Sequence, residues 1–220
     1  MKPTDVRNEI NALTDLLILK SLVNDQNYPC IKTLPEQETY VTFTNDNTLN
    51  SFLHSPPYKE LHENYSNSRC FNLKFLDGAL IQMNYRFKKN EVVWHRLNYL
   101  PSPSFEEYQN NPELYDEDNI YADIIAKDIL PVPIRIDFSD VHTVVSHPRI
   151  HTTLGQFKNC RIPVAHPLSP SRFIKFILLS FYQTATASWI QEIKPKDFNS
   201  SFIHNDELKE LHFSWRKNTT

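Results

Sequence analysis

Four of the nine histidines fall between His142 and His166, a stretch of 25 residues that also carries Arg149, Lys158, Arg161 and Cys160. Imidazole is the side chain whose ordinary pKa lies nearest neutrality, so this concentration points to proton transfer or metal ligation. His147 and His151 are four apart, but Pro148 disfavours a helix at His147 and places the pair in a loop or at a strand end. Upstream, Arg135 and Asp137 are two apart in Ile134-Arg-Ile-Asp-Phe-Ser139, so on a strand both project from one face. A carboxylate there can orient a histidine, and the guanidinium can meet a phosphate. The competing readings are imidazoles that only hydrogen-bond backbone carbonyls, and a salt-bridged, solvated sheet face. His142 is the weaker member of the group, and His166, just ahead of a helix cap, reads as structural.

Two chemistries are open to this constellation. Without a metal, His147 and His151 exchange protons with the attacking and leaving oxygens while Arg135 stabilises phosphoryl charge, which calls for an RNA 2′-hydroxyl or an activated water. With a divalent ion, His142, His147 or His151 combines with Asp137 or Asp140 to activate water. Arg86, Arg96, Lys158, Arg161 and Arg172 would widen the site into a basic lip for nucleic acid, with Tyr85 and Tyr99 for base stacking. The acid-x-Lys pattern of restriction-type nucleases is missing from the sheet segments, which weighs against DNA cleavage. Cys160 beside Arg161 reads either as a low-pKa thiol or, more simply, as a small buried hydrophobe.

These residues need a scaffold. At 220 residues, with 40% hydrophobic and 22% charged, the chain has ordinary globular composition and reads as one domain spanning 1–220. A formal charge of -3 leaves room only for a local basic face. Two glycines in the whole chain cannot build the phosphate-cradling loops of Walker or Rossmann type. Three widely spaced cysteines indicate neither a disulfide framework nor a zinc ribbon, and fit a reducing cytoplasm. No secretory leader is read at the N-terminus, and the apolar stretch from Phe173 to Tyr182 is too short to span a membrane.

The expected architecture is α+β: an antiparallel meander sheet of about four to six strands, its apolar face covered by an N-terminal and a C-terminal helix. Val6, Ile10, Leu13 and Leu17 give the first helix, residues 4–23, with Thr4 as N-cap. Strands follow at 40–44, 70–76, 79–87, 92–100 and 133–139. A three-residue Leu76-Asp77-Gly78 loop opposes Phe75 to Ala79, Leu73 to Ile81 and Phe71 to Met83, whereas a two-residue loop would mix the faces. Across a longer 88–92 loop, Phe87 pairs with Val93 and Met83 with Leu97, leaving Gln82, Asn84, Arg86, Arg96 and Asn98 on the other face. The acidic, proline-punctuated 101–128 region reads as an insertion with short helices. Ser169 caps, and Pro170 opens, a helix over 170–189, and the tail from 195 adds a short helix near 205–214.

With Ile134-Arg-Ile-Asp-Phe-Ser139, the ordered run from Ser146 to Tyr182 resembles the bacterial family catalogued as domain of unknown function 2290. The elements that carry the resemblance are Arg135-x-Asp137, His147-Pro-x-x-His151, the Cys160-Arg161-Ile162-Pro163 turn and the aromatic closing helix, covering roughly residues 70–185. The resemblance implies a small partner of a helicase in two-gene anti-phage systems. The leading expectation is therefore a phosphodiester-cleaving nuclease that works with that helicase. A non-catalytic adaptor that binds nucleic acid or regulates the helicase is the second, and a toxin with another target has no residue for or against it.

Overall fold

The computed structural model describes residues 1–44, 56–103, 132–140, 147–157, 159–198, 203 and 205–215. Its first helix, α1 (Pro3–Leu19), starts two residues earlier than Thr4 as N-cap would allow. Lys2 is the N-cap, Pro3 takes the first helical position where its missing N–H costs nothing, and the Asp5 carboxylate accepts the Lys2 amide at 2.8 Å. Ser21, at φ 56°, ends the helical path and turns the chain into a strand.

The remaining elements are β1 (Val23–Gln26), β2 (Pro29–Thr33), β3 (Glu38–Phe43), α2 (Tyr58–Asn67), β4 (Leu73–Phe75), β5 (Leu80–Lys88), β6 (Glu91–Leu100), β7 (Ile134–Ser139), β8 (Ile150–Leu154), β9 (Ile162–Pro163), α3 (Pro170–Phe181) and α4 (Gln183–Thr186). The strands form one open antiparallel sheet of nine, more than the four to six expected, in the order β1-β4-β5-β6-β7-β8-β9. The β2–β3 hairpin joins through β3, which shares one edge of β5 with β4: Leu73 and Lys74 pair with Ile81 and Leu80, and residues 38–41 pair with 88–85. The short helices expected within 104–127 fall outside the described residues. In the tail only one 3-10 turn, Glu207–Lys209, appears within the expected helix.

The meander registers follow the turn chemistry. Gly78 has φ 84°, Phe75 donates to the Ala79 carbonyl, and Leu73 faces Ile81, as the bulged three-residue loop requires. Phe71 departs from that register. The Asn72 side chain takes the Met83 amide at 2.6 Å in place of a backbone partner, the strand begins only at Leu73, and Phe71 packs on the opposite side, with Phe43, Leu80 and Leu100. At the next hairpin Lys88 pairs directly with Glu91, across Lys89 and Asn90 at φ 50° and 68°, a two-residue turn made without glycine. A bulge between Arg86 and Phe87 then sets Phe87 against Val92, not Val93, and Arg86 against Trp94.

One large buried cluster joins Val6, Ile10 and Leu17 of α1, Ile81, Met83, Leu97 and Phe138 of the sheet, and Phe173, Ile174, Ile177 and Leu178 of α3. Ser169 caps α3 by accepting the Arg172 amide at 3.2 Å, with Pro170 next. The helix stops at Phe181, well short of 189. Tyr182 leaves the helical path and its hydroxyl donates to Asp77 at 2.8 Å. A smaller cluster, Tyr65 of α2 with Phe43, Phe71, Leu80 and Leu100, caps one end of the sheet's other face. The rest of that face is polar.

Candidate phosphate-binding face of the sheet

Alternation along β5, β6, β7 and β8 stacks polar residues in three cross-strand rows. The middle row runs Asn84–Arg96–Asp137–His151, each directly opposite the next. Two residues along lies Gln82–Asn98–Arg135–Thr153, and on the other side Arg86–Trp94–Ser139. Hydrogen bonds brace the buried end: Thr42 donates to Asn84 Oδ1 at 2.7 Å, and Asn98 Nδ2 to Gln82 Oε1 at 2.6 Å.

Asp137 is the electrostatic centre. Arg96 Nε donates to its Oδ1 at 2.7 Å, and Arg135 Nε lies 2.7 Å from Oδ2. Burial alone would push this carboxyl up, but the two guanidiniums outweigh it and hold the pKa below the usual carboxylate range. His151 Nε2 is 3.8 Å from the same Oδ2. Its Nδ1 is 3.0 Å from the Pro148 carbonyl, which can only accept, so in the neutral ring Nδ1 carries the proton and Nε2 keeps its lone pair. Burial lowers the His151 pKa against the raising effect of Asp137. His147 meets His151 edge to face with ring centroids 4.7 Å apart. The four residues expected to act together, Arg135, Asp137, His147 and His151, are thus brought into one contiguous group.

Arg86 extends the group. Its guanidinium lies 5.4 Å from the Tyr40 ring and 5.0 Å from Trp94, and its buried Nε has no hydrogen-bond partner among the described residues. Arg96 also approaches Trp94, at 5.6 Å. Among the described residues these three rows therefore carry three guanidiniums against one carboxylate, with aromatic surface beside two of them. Tyr40 and Trp94 were not singled out by the sequence reading, although Trp94 stands two before Arg96 and alternation alone puts it on this face.

Other expected residues lie elsewhere. Tyr85 and Tyr99 are fully buried on the core face, Tyr85 donating to the Leu168 carbonyl at 3.0 Å, so neither can stack a base. Arg172, in the first turn of α3, makes a two-pronged pair with Asp197 at 2.9 Å and lies over Trp215. Arg161 is exposed beside a shallow cleft it shares with Asp206, Glu207 and Glu210. Asp140 is exposed at the end of β7. His142 and Lys158 lie outside the described residues. His166 is buried with its ring edge on Trp215, and Cys30, Cys70 and Cys160 form no disulfide.

Among the described residues the donor set does not fit a divalent ion. Both Asp137 oxygens face arginines, and no three His, Cys, Asp or Glu side chains converge among the described residues. No described helix is long and apolar enough to cross a membrane.

The model of the family described as uncharacterized conserved protein (DUF2290) matches residues 22–215, and the chain belongs to that family. The match extends beyond the 70–185 core to take in β1, β2, β3 and α2. No curated protein and no solved structure matches the chain.

Proposed function

We propose that the protein binds the phosphodiester backbone of nucleic acid on the polar face of its sheet and cleaves it at the His147–His151 pair. The observation that carries this reading is the contact group itself: an imidazole with a fixed tautomer, a second imidazole against it, and Arg135 joined to the first, His151, through Asp137. His151 Nε2 is the base that accepts the proton of the attacking oxygen. His147 returns a proton to the leaving oxygen, and Arg135 and Arg96 oppose the charge that builds on the phosphoryl group. The attacking oxygen on this route is an RNA 2′-hydroxyl or a base-activated water; the proposal takes the internal 2′-hydroxyl, so RNA is the proposed substrate, and no step runs through a metal. The bacterial setting, a helicase partner that presents the strand, antiviral defence and a cytoplasmic location belong to the same proposal; their support is the family resemblance.

A second reading, a non-catalytic adaptor that binds nucleic acid or regulates the helicase, is favoured by one feature. Asp137 already neutralises two guanidiniums, as a structural ion-pair network would. Labelled RNA and DNA incubated with the purified protein, with and without EDTA and the helicase, separate the two. EDTA-insensitive RNA cleavage that His147→Ala and His151→Ala abolish, with binding retained, is the expected result. Binding without turnover would make the protein an adaptor, and cleavage lost in EDTA would overturn the metal-free route.

A further inference from the structure

One row away from Arg96–Asp137–His151 the polar face runs under α2 into a cavity of about 130 Å³. The sheet contributes Asn98, Arg135 and Thr153 to its lining, α2 contributes Tyr58 and Tyr65, and Phe157 stands at the β8 end. The volume is well below the roughly 300 Å³ at which pockets for drug-sized ligands begin, so the occupant is a single small group. Its walls combine aromatic rings with an amide, a hydroxyl and a guanidinium, which suits a flat heterocycle with polar edges. Arg135 links the two places, lining the cavity while its Nε contacts Asp137.

The cavity wall is also preformed. Gly155, at φ 62°, donates its N–H to the Pro133 carbonyl at 2.7 Å. A Cβ at Gly155 would come within 3.1 Å of the Phe157 ring, so the missing side chain is what lets that ring lie against the backbone. Gln156 Nε2 donates to the Pro56 carbonyl at 3.2 Å and ties the β8 turn to the segment that opens α2. Phe157 itself is 72% exposed, so its ring is available to a ligand and contributes little to the core.

We propose that this cavity receives one unstacked nucleobase of a single strand whose adjoining phosphate lies at Arg135. The inference rests on the proposed function and names its base-binding subsite. Single-stranded RNA is read by splaying bases out onto aromatic rings and polar side chains, and the cavity offers both. Inserting a base here sets its own ribose and phosphate toward the row that holds His151.

The test is binding by the full chain to two labelled strands of equal length, one of 2′-O-methyl RNA and one with the same backbone but no bases. Both lack the nucleophile of the proposed chemistry, so binding is read without cleavage. Wild type should hold the base-bearing strand about tenfold more tightly, the scale of one stacked base. Phe157→Ala, with a thermal melt confirming that it folds, should erase that preference and leave abasic binding unchanged. Equal affinity of wild type for both strands would overturn the base subsite and leave backbone binding standing. A preference that survives Phe157→Ala in full would place the base on another surface and overturn it too. Failure to bind either strand would bring down the proposed function and the subsite together.

Discussion

His95 and His151 stand on the two strands that flank β7, yet on opposite faces of the sheet, and their surroundings share almost nothing. His95 is fully buried on the core side between Tyr85 and Phe138, and its Nε2 accepts the Leu168 amide at 3.2 Å. Burial pushes its pKa down to about 3, against the raising effect of Asp137 on the other face. It is a neutral acceptor that anchors the segment leading into α3. His151 faces a carboxylate, two guanidiniums and a second imidazole, with its tautomer set by a carbonyl. The lesson is that face, not residue type, decides what a histidine does in this sheet.

The sharpest way to break this comparison is to remove each ring in turn. His151→Ala should lower RNA turnover by about 100- to 10,000-fold, the range of one general acid–base group, while strand binding persists. His95→Gln, which keeps an acceptor for the Leu168 amide, should leave turnover per folded molecule unchanged in the same assay. Because burial lowers the His151 pKa, the acid limb of the rate profile should fall below the ordinary histidine range, and a limb above it would argue against His151 as the base.

Asp137→Ala comes next. It leaves Arg96 and Arg135 facing each other without their shared carboxylate, and a loss of about 3 kcal/mol in urea unfolding is expected. Since the folded-state pKa of Asp137 is depressed, its contribution is present above the unfolded carboxylate value. It is lost as pH falls through the lower folded value, so the variant and wild type should converge in acid.

His95 gives a smaller, pH-shaped effect. Its folded pKa lies below its unfolded one, so stability is intact above the ordinary histidine value and declines as pH falls from there toward about 3. His95→Gln should flatten that slope by about one proton, measured as urea midpoint against pH. Least of all, Trp94→Ala should weaken strand binding by several-fold, on the scale of about 1 kcal/mol for cation–π support of Arg86 and Arg96, with little change in melting temperature.

Alternation and turn chemistry made the centre of the sheet legible. Gly78 fixed one hairpin, Met83 opposite Leu97 followed from the apolar pattern, and Arg135 and Asp137 shared a face because strands have period two. The flanking strands were harder to read. Val23-Asn-Asp-Gln26 and Ile162-Pro163 have no apolar run, and they are strands because a neighbour supplies their hydrogen bonds. Asn90 at positive φ did the work expected of a glycine. The end of α3 depends on Asp77, more than a hundred residues away. At the site, the residue types were readable but their meeting was not, since His151 reaches Asp137 only through the β7–β8 register. The misplacement of Tyr85 and Tyr99 was avoidable: both share the parity of Met83 and Leu97, which the same alternation sends to the core.

Pro163 ends the sheet at β9, where it has no N–H to offer and its carbonyl takes the Phe213 amide at 2.9 Å. A further strand arriving at that margin would find one donor absent and one acceptor occupied. That margin is thereby stoppered against strand pairing from chain to chain, so molecules crowded together would remain separate there and not zip into a continuous ribbon.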